Sequence, residues 1–266
     1  MKRWLAALCL VGCTAGVRAE GAFEGEVDLD GLRTVMVDLP STPLRVEGCD
    51  PTVPESCPDS VRVEGRWHAI GASQAEAERT AGRPAVVFER GPALLRISAA
   101  VPLEVDGLVD LEVDEVGLPA DVDVDLRTSL GDVRVRGMEG SVLVDVEAGD
   151  IDVQGPMRSA GLHTGAGDVV AVVEGPVDIE AADGGVYVEQ GVPGVDVFVE
   201  APGGDVEVWL LDDTNLDLEV RTPGRVRVQT DAISAQARGR YDARTGTGAV
   251  RVEVTAGGDV DIRLRG

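Results

Sequence analysis

From about residue 118 onward the chain alternates apolar and other residues in short bursts: Val133-Arg134-Val135, Val142-Leu143-Val144, Ile151-Asp152-Val153, Val177-Asp178-Ile179 and Val197-Phe198-Val199. Alternation with period two sends the Val and Ile side chains to one face of an extended strand and the residues between them to the other. The glycines that punctuate the bursts are regularly placed. Gly131, Gly140 and Gly149 stand nine apart and Gly167 follows 18 after Gly149; the series then drifts through Gly175, Gly185 and Gly194 to Gly204 and Gly258. A strand of about five residues is about 16 Å long, and a turn of about four follows it. So small a unit cannot bury its own apolar face, and a fixed short period is the mark of a solenoid, in which stacked neighbours share a continuous core. The pattern predicts an all-β chain folded as a parallel β-helix, with regular repeats over about 118–266. A β-sandwich of hairpins is the rival, since it also uses short strands and glycine turns. Hairpin loops vary in length, so the intervals of nine and 18 favour the solenoid.

Before residue 118 the pattern is looser. Strands are predicted at 34–39, 44–47, 61–65, 85–89, 93–98 and 103–105. Residues 72–81 are strong helix formers without an apolar stripe, which predicts a short surface helix. No linker or low-complexity run separates this part from the repeats, so 20–266 reads as one domain.

Composition sharpens the picture. The 44 valines and 34 glycines agree with strands and turns. Acids outnumber bases 48 to 24, for a net charge of −24, and the only lysine is Lys2. Nucleic-acid binding is therefore not expected, because neutralising phosphates needs a positive face. A P-loop or a lysine nucleophile needs an amine that the chain beyond Lys2 lacks.

Residues 1–19 read as a secretory signal: Lys2 and Arg3 start it, 4–11 are apolar, and Val17 and Ala19 are the small residues before a cut. Losing Lys2, Arg3 and Arg18 would lower the net charge by three, to −27. Within that segment, Leu10-Val11-Gly12-Cys13 resembles the bacterial lipobox. Processing there would end the signal at residue 12 and make Cys13 the lipidated first residue, and both exits stay open. Thr14, where inner-membrane lipoproteins of enteric-type bacteria carry Asp, implies the outer membrane. Cys49 and Cys57 bracket a short loop with two prolines, which suits a disulfide in an oxidising compartment; free thiols or a metal site are the alternatives.

The run from Leu118 to Val133, Leu-Pro-Ala-Asp-Val-Asp-Val-Asp-Leu-Arg-Thr-Ser-Leu-Gly-Asp-Val, with the Gly-Asp-Val/Ile units after it, resembles the bacterial putative-adhesin domain family. The resemblance covers about residues 30–266 and is strongest over 100–210. It implies a right-handed single-stranded β-helix displayed on the cell envelope, in the periplasm, at the outer membrane or on the surface. It implies no defined ligand.

Candidate chemistry is sparse. Asp132, Asp150, Asp168, Asp205 and Asp259 share one position in their repeats. A column of carboxylates invites a calcium reading. The simpler reading has each Asp accept backbone N–H bonds at its own turn. Of the two histidines, His68 and His163, neither has a metal-ligand partner four residues on, and no Gly-x-Ser-x-Gly elbow exists. No catalytic, cofactor or metal residue is therefore assigned. Tyr187, Phe198 and Trp209 each lie between two aliphatics and point out if their neighbours point in; their spacing of 11 does not match a unit of 18, so they need not share a face. The expected function is a non-catalytic, adhesin-like binding or structural module with an unidentified envelope or surface ligand and candidate membrane anchoring through Cys13. The alternative is a periplasmic carbohydrate- or ion-binding protein, which a cluster of outward rings or a polar cleft would favour.

Overall fold

A computed structural model describes residues 17–41, 43–49, 59–71, 73–81, 85–100, 109–212 and 214–265. Cys13, Cys57 and the strand expected at 103–105 lie outside the described residues. The first part comprises β1 (Val17–Asp28), β2 (Thr34–Ser41), β3 (Leu44–Cys49), β4 (Ser60–Gly71), α1 (Gln74–Ala81), β5 (Ala85–Arg90), β6 (Leu95–Ala100) and β7 (Val109–Pro119). Then come β8 (Asp123–Leu130), β9 (Val133–Arg136), β10 (Ser141–Ala148), β11 (Ile151–Gly155), β12 (Ser159–Thr164), β13 (Val169–Val173), β14 (Val177–Ala181), β15 (Val186–Gln190), β16 (Val197–Ala201) and β17 (Val206–Leu210). The chain closes with β18 (Leu216–Gln229), β19 (Ser234–Arg244), β20 (Val250–Ala256) and β21 (Val260–Leu264). All 21 strands of the described residues join one large, mostly parallel sheet.

Within that sheet the strands after β7 alternate between two parallel ladders. One carries β8, β10, β12, β14 and β16 side by side, and the other β9, β11, β13, β15 and β17. The register places like on like. Val124 faces Val142, which faces Ala160; Val133 faces Ile151, which faces Val169. The alternation read from sequence decides which side chains go inside. Val133, Val142 and Ile151 are buried, and the inward residues of both ladders belong to one hydrophobic cluster. Each such Val or Ile contributes roughly 1.5–3 kcal/mol on burial. Successive units pair in parallel, so the hairpin sandwich is not the arrangement over 123–210.

Corners between the ladders repeat as well. Gly149, Gly167 and Gly184 have φ of 153°, 140° and 148°. A Cβ at each would run into the carbonyl oxygen of the matching glycine one unit earlier: Gly131, Gly149 and Gly167 respectively. Glycine is required here by the close approach of stacked backbones as much as by its own dihedral freedom.

Both ends of the stack break the order of the chain. β20 and β21, the last unit in sequence, lie between β16–β17 on one side and β18 on the other. β18 is long enough to serve both ladders: its residues 216–221 pair with β20 and 226–229 with β21. The unit formed by β2 and β3 likewise sits between β6–β7 and β8–β9. Antiparallel partners cover the outer strands, β19 on β18, β5 on β6 and β4 on β7, with β1 outside β4. Such partners occupy backbone groups that would otherwise form an open parallel edge.

Residues 20–28, read from sequence as lying outside any strand, belong to β1, which pairs with β4 over all 12 residues from Val17↔Gly71 to Asp28↔Ser60. Its inner face holds Gly21, Phe23, Gly25 and Val27, so the glycines hid the alternation. Phe23 and Phe88 fill the space above Gly65 and Gly25. The helix begins at Gln74, with Ser73 accepting the Glu76 N–H at 3.3 Å on its hydroxyl.

One buried polar side chain joins two loops. Gln190, 1% exposed, donates to the Val195 carbonyl at 2.8 Å and accepts the Leu211 N–H at 3.2 Å. Replacing it by Leu strands both backbone groups, and we expect a loss of about 2 kcal/mol in urea unfolding. A loss below about 0.5 kcal/mol would show that neither bond matters.

Candidate functional site

The outward face of the second ladder carries the richest chemistry. Reading across strands, the register aligns Arg134, Asp152, Val170, Tyr187, Glu207, Asp261 and Arg227, and antiparallel β19 adds Gln236. Beside this row runs the aspartate column. A groove of about 1010 Å³ lies along the two, from Asp168 and Val170 past Tyr187 and Glu207 to Arg225 and Arg238. A second hollow of about 600 Å³ continues from Asp168 and Val170 past Asp150 and Arg134 to Arg45. The two share Asp168 and Val170 and lie end to end along the stack, a furrow in two parts.

The aspartates form its wall by bonding between units, not each within its own turn. Asp132 accepts the Asp150 N–H at 3.0 Å, Asp150 accepts that of Asp168 at 2.8 Å, and Asp168 that of Gly185 at 2.7 Å. Past Gly185, which breaks the column, Asp205 accepts the Asp259 N–H at 2.6 Å and Asp259 that of Arg225 at 2.8 Å. The repeat position was legible; the reach of 18 residues to the next unit was not. If acceptance is the role, Asp150→Asn keeps stability within about 0.5 kcal/mol, whereas Asp150→Ala costs about 1 kcal/mol. Equal losses in thermal unfolding would instead assign the role to charge.

Tyr187 and Trp209 share this outward face on neighbouring strands, an arrangement their spacing left open. The unit here has lengthened, so Tyr187 pairs with Glu207 and Glu189 with Trp209. The two rings are thus diagonal neighbours. The Tyr187 hydroxyl donates to Glu189 at 2.9 Å and the Trp209 indole N–H to Glu207 at 2.9 Å. Burial first, then the Glu189 bond, raises the Tyr187 phenol above its ordinary pKa, so it stays a neutral donor. Arg263 lies over the Trp209 ring at 5.1 Å and pairs with Glu207 at 3.3 Å. Phe198 stands apart on the first ladder, with Arg251 5.6 Å from its ring.

Ion pairs are many and mostly exposed, and each exposed pair contributes little. A recurring form joins residues two apart on one strand, as in Arg127–Asp125 at 2.9 Å and Arg263–Asp261 at 2.6 Å. On the groove floor, Asp152 and Asp261 each keep one buried carboxylate oxygen without a hydrogen-bond partner.

Elsewhere, His163 Nδ1 is 2.8 Å from Asp145, with Glu180 4.0 Å from its other nitrogen. His68 lies 3.5 Å from Glu20 and 3.7 Å from Glu112. Among the described residues no group of three or more His, Cys, Asp or Glu could hold a metal ion. No helix among them is long and apolar enough to cross a membrane. Cys49 closes β3.

Similarity to known proteins is confined to distant solved structures. A putative cell adhesion protein from Clostridium sporogenes is 11% identical, with 93% of this chain and 100% of that one covered at a TM-score of 0.32. A putative adhesin from Bacteroides fragilis is 9% identical over 92% of this chain and 97% of that one, at 0.42. One from Parabacteroides merdae is 10% identical over the same shares, at 0.31. No family model matches the chain, and no curated protein does.

Proposed function

We propose that the chain is an exported, non-catalytic, adhesin-like binding module of the cell envelope, and that its binding surface is the furrow along the second ladder. The furrow is the observation that carries this reading: it spans many stacked units, and its floor and wall are formed by side chains in fixed register. The two ladders are, in this reading, faces of a right-handed parallel β-helix, a rigid support for an elongated ligand. The Tyr187 ring on the furrow's lining favours a carbohydrate over an ion. The test is retention of the purified chain on envelope preparations of the producing organism. Tyr187→Ala should weaken retention at least fivefold, while Phe198→Ala, on the other ladder, should not. Equal retention of both variants would remove the furrow as the binding surface.

Anchoring through Cys13 belongs to the same proposal, and β1 supports it over simple secretion. A cut after Ala19 would remove three register pairs of β1, together with Ala19, which is buried with Ala69 and Ala77. A cut before Cys13 leaves β1 whole and three residues between lipid and strand. We expect Cys13→Ala to release the protein from the membrane fraction in the native host, with the mature N-terminal mass of wild type showing a diacylated Cys13. A mature chain starting at Glu20 would contradict this. The Cys49–Cys57 bridge completes the exported form, and alkylation without reduction should label neither residue.

A further inference from the structure

The β18–β19 end of the furrow departs from the rest of this acidic surface. Arg225 of β18 stands directly opposite Arg238 of β19, and Arg227 stands opposite Gln236; all four line the groove. Like charges directly opposite in an antiparallel pair repel at short range. Nearby carboxylates answer this only in part. Arg225 is 3.6 Å from Asp259 and Arg227 is 3.7 Å from Asp261, both beyond hydrogen-bond length, and their side chains are 73% and 56% exposed. Arg238 has no carboxylate within ion-pair distance among the described residues. The same hairpin contains a second opposed pair, Arg221 and Arg240, and there the repulsion is answered. Glu219 pairs with both of those arginines, Asp242 holds Arg240 at 2.8 Å, and Glu253 lies 3.4 Å from Arg221. One opposed arginine pair is thus neutralised from within, and the one facing the groove is left with a surplus cation.

We propose that Arg225, Arg227 and Arg238 hold an anionic group of an acidic oligosaccharide that lies along the groove toward Tyr187. This rests on the reading of the furrow as a binding surface. Three strand spacings separate Arg227 from Tyr187, about 14 Å, which a short oligosaccharide spans. The wall between them is carboxylate, Asp205 and Asp259, and accepts hydroxyl donors while repelling a dense polyanion. A ligand rich in hydroxyls with widely spaced anionic groups fits that sequence of surfaces. An acidic peptide fits it worse, having few hydroxyls to offer the wall. Arginine forks suit a carboxylate in two-point contact.

The test uses the full chain, a hyaluronan tetrasaccharide, its carboxyl-reduced analogue and an oligoglutamate peptide in calorimetric titration. Wild type should bind the acidic glycan about tenfold more tightly than the reduced one. Arg225→Gln with Arg238→Gln should abolish that difference without lowering the melting temperature, and Arg221→Gln with Arg240→Gln should leave it intact. Equal binding of the two glycans, no saturable binding of the acidic one, or tighter binding of the peptide would overturn the anion site. The furrow reading survives any of these results if Tyr187→Ala still weakens envelope retention, and falls with the anion site if it does not.

Discussion

Gly167→Ala should cost about 3 kcal/mol of stability, among the largest effects of any single added methyl group in this chain. Two causes act together. The backbone at Gly167 has φ of 140°, a conformation side-chain-bearing residues rarely adopt. The added Cβ would also overlap the Gly149 carbonyl oxygen and approach Asp150 Oδ1 to 3.0 Å. The obstructing carbonyl belongs to the corner backbone of the neighbouring unit, which no rotamer change can move. The cost would appear as a melting temperature lower by about 10 °C. Gly117→Ala is the control, since a Cβ there meets nothing within 4 Å and no unusual φ is involved. That substitution should be neutral or stabilise by up to about 0.5 kcal/mol through the unfolded chain. A loss at Gly167 no greater than at Gly117 would mean that the corners do not stack as described.

The second large effect concerns the last unit. Ile262 is fully buried and lies between Val208 of β17 and Val228 of β18. In a simple linear array the last unit of the chain is the outermost, and weakening it mainly increases fraying. Here that unit is enclosed on both sides. Ile262→Ala should therefore cost about 3–4 kcal/mol, within about 1 kcal/mol of Ile151→Ala in the middle of the stack. Denaturant unfolding of the two variants decides it. A cost below about 1 kcal/mol for Ile262→Ala alone would place the last unit at a loose end.

That enclosure also marks where sequence reading stops. Alternation shows which side chains turn inward, because it follows from strand geometry alone, and the intervals of nine and 18 identify neighbours as long as units keep their length. From 124 to 160 on one ladder and 133 to 169 on the other, the register follows the glycine spacing. Nothing in local pattern tells the unit at 250–264 to slot in beside β17 in place of β18. That choice is made by long-range packing.

The furrow was hidden for a related reason. Tyr187 and Trp209 become neighbours only because the unit between them is longer than 18 residues, and Arg225 meets Arg238 only through the hairpin register. The aspartate position was visible as a repeat, but its partner is a backbone N–H in the next unit. The strand β1 was missed because glycines occupy two of its four inner positions between 21 and 27, leaving Phe23 and Val27 as the only large apolar signals.

Hydroxyl-radical footprinting of the aromatic side chains, with and without an envelope polysaccharide preparation from the producing organism, tests the furrow most directly. The method reads the exposure of each ring separately, and the rings lie on different ladders. Binding along the furrow predicts at least threefold slower modification of Tyr187, which lines it, with Phe198 unchanged. Protection of Phe198 with Tyr187 unchanged would contradict it.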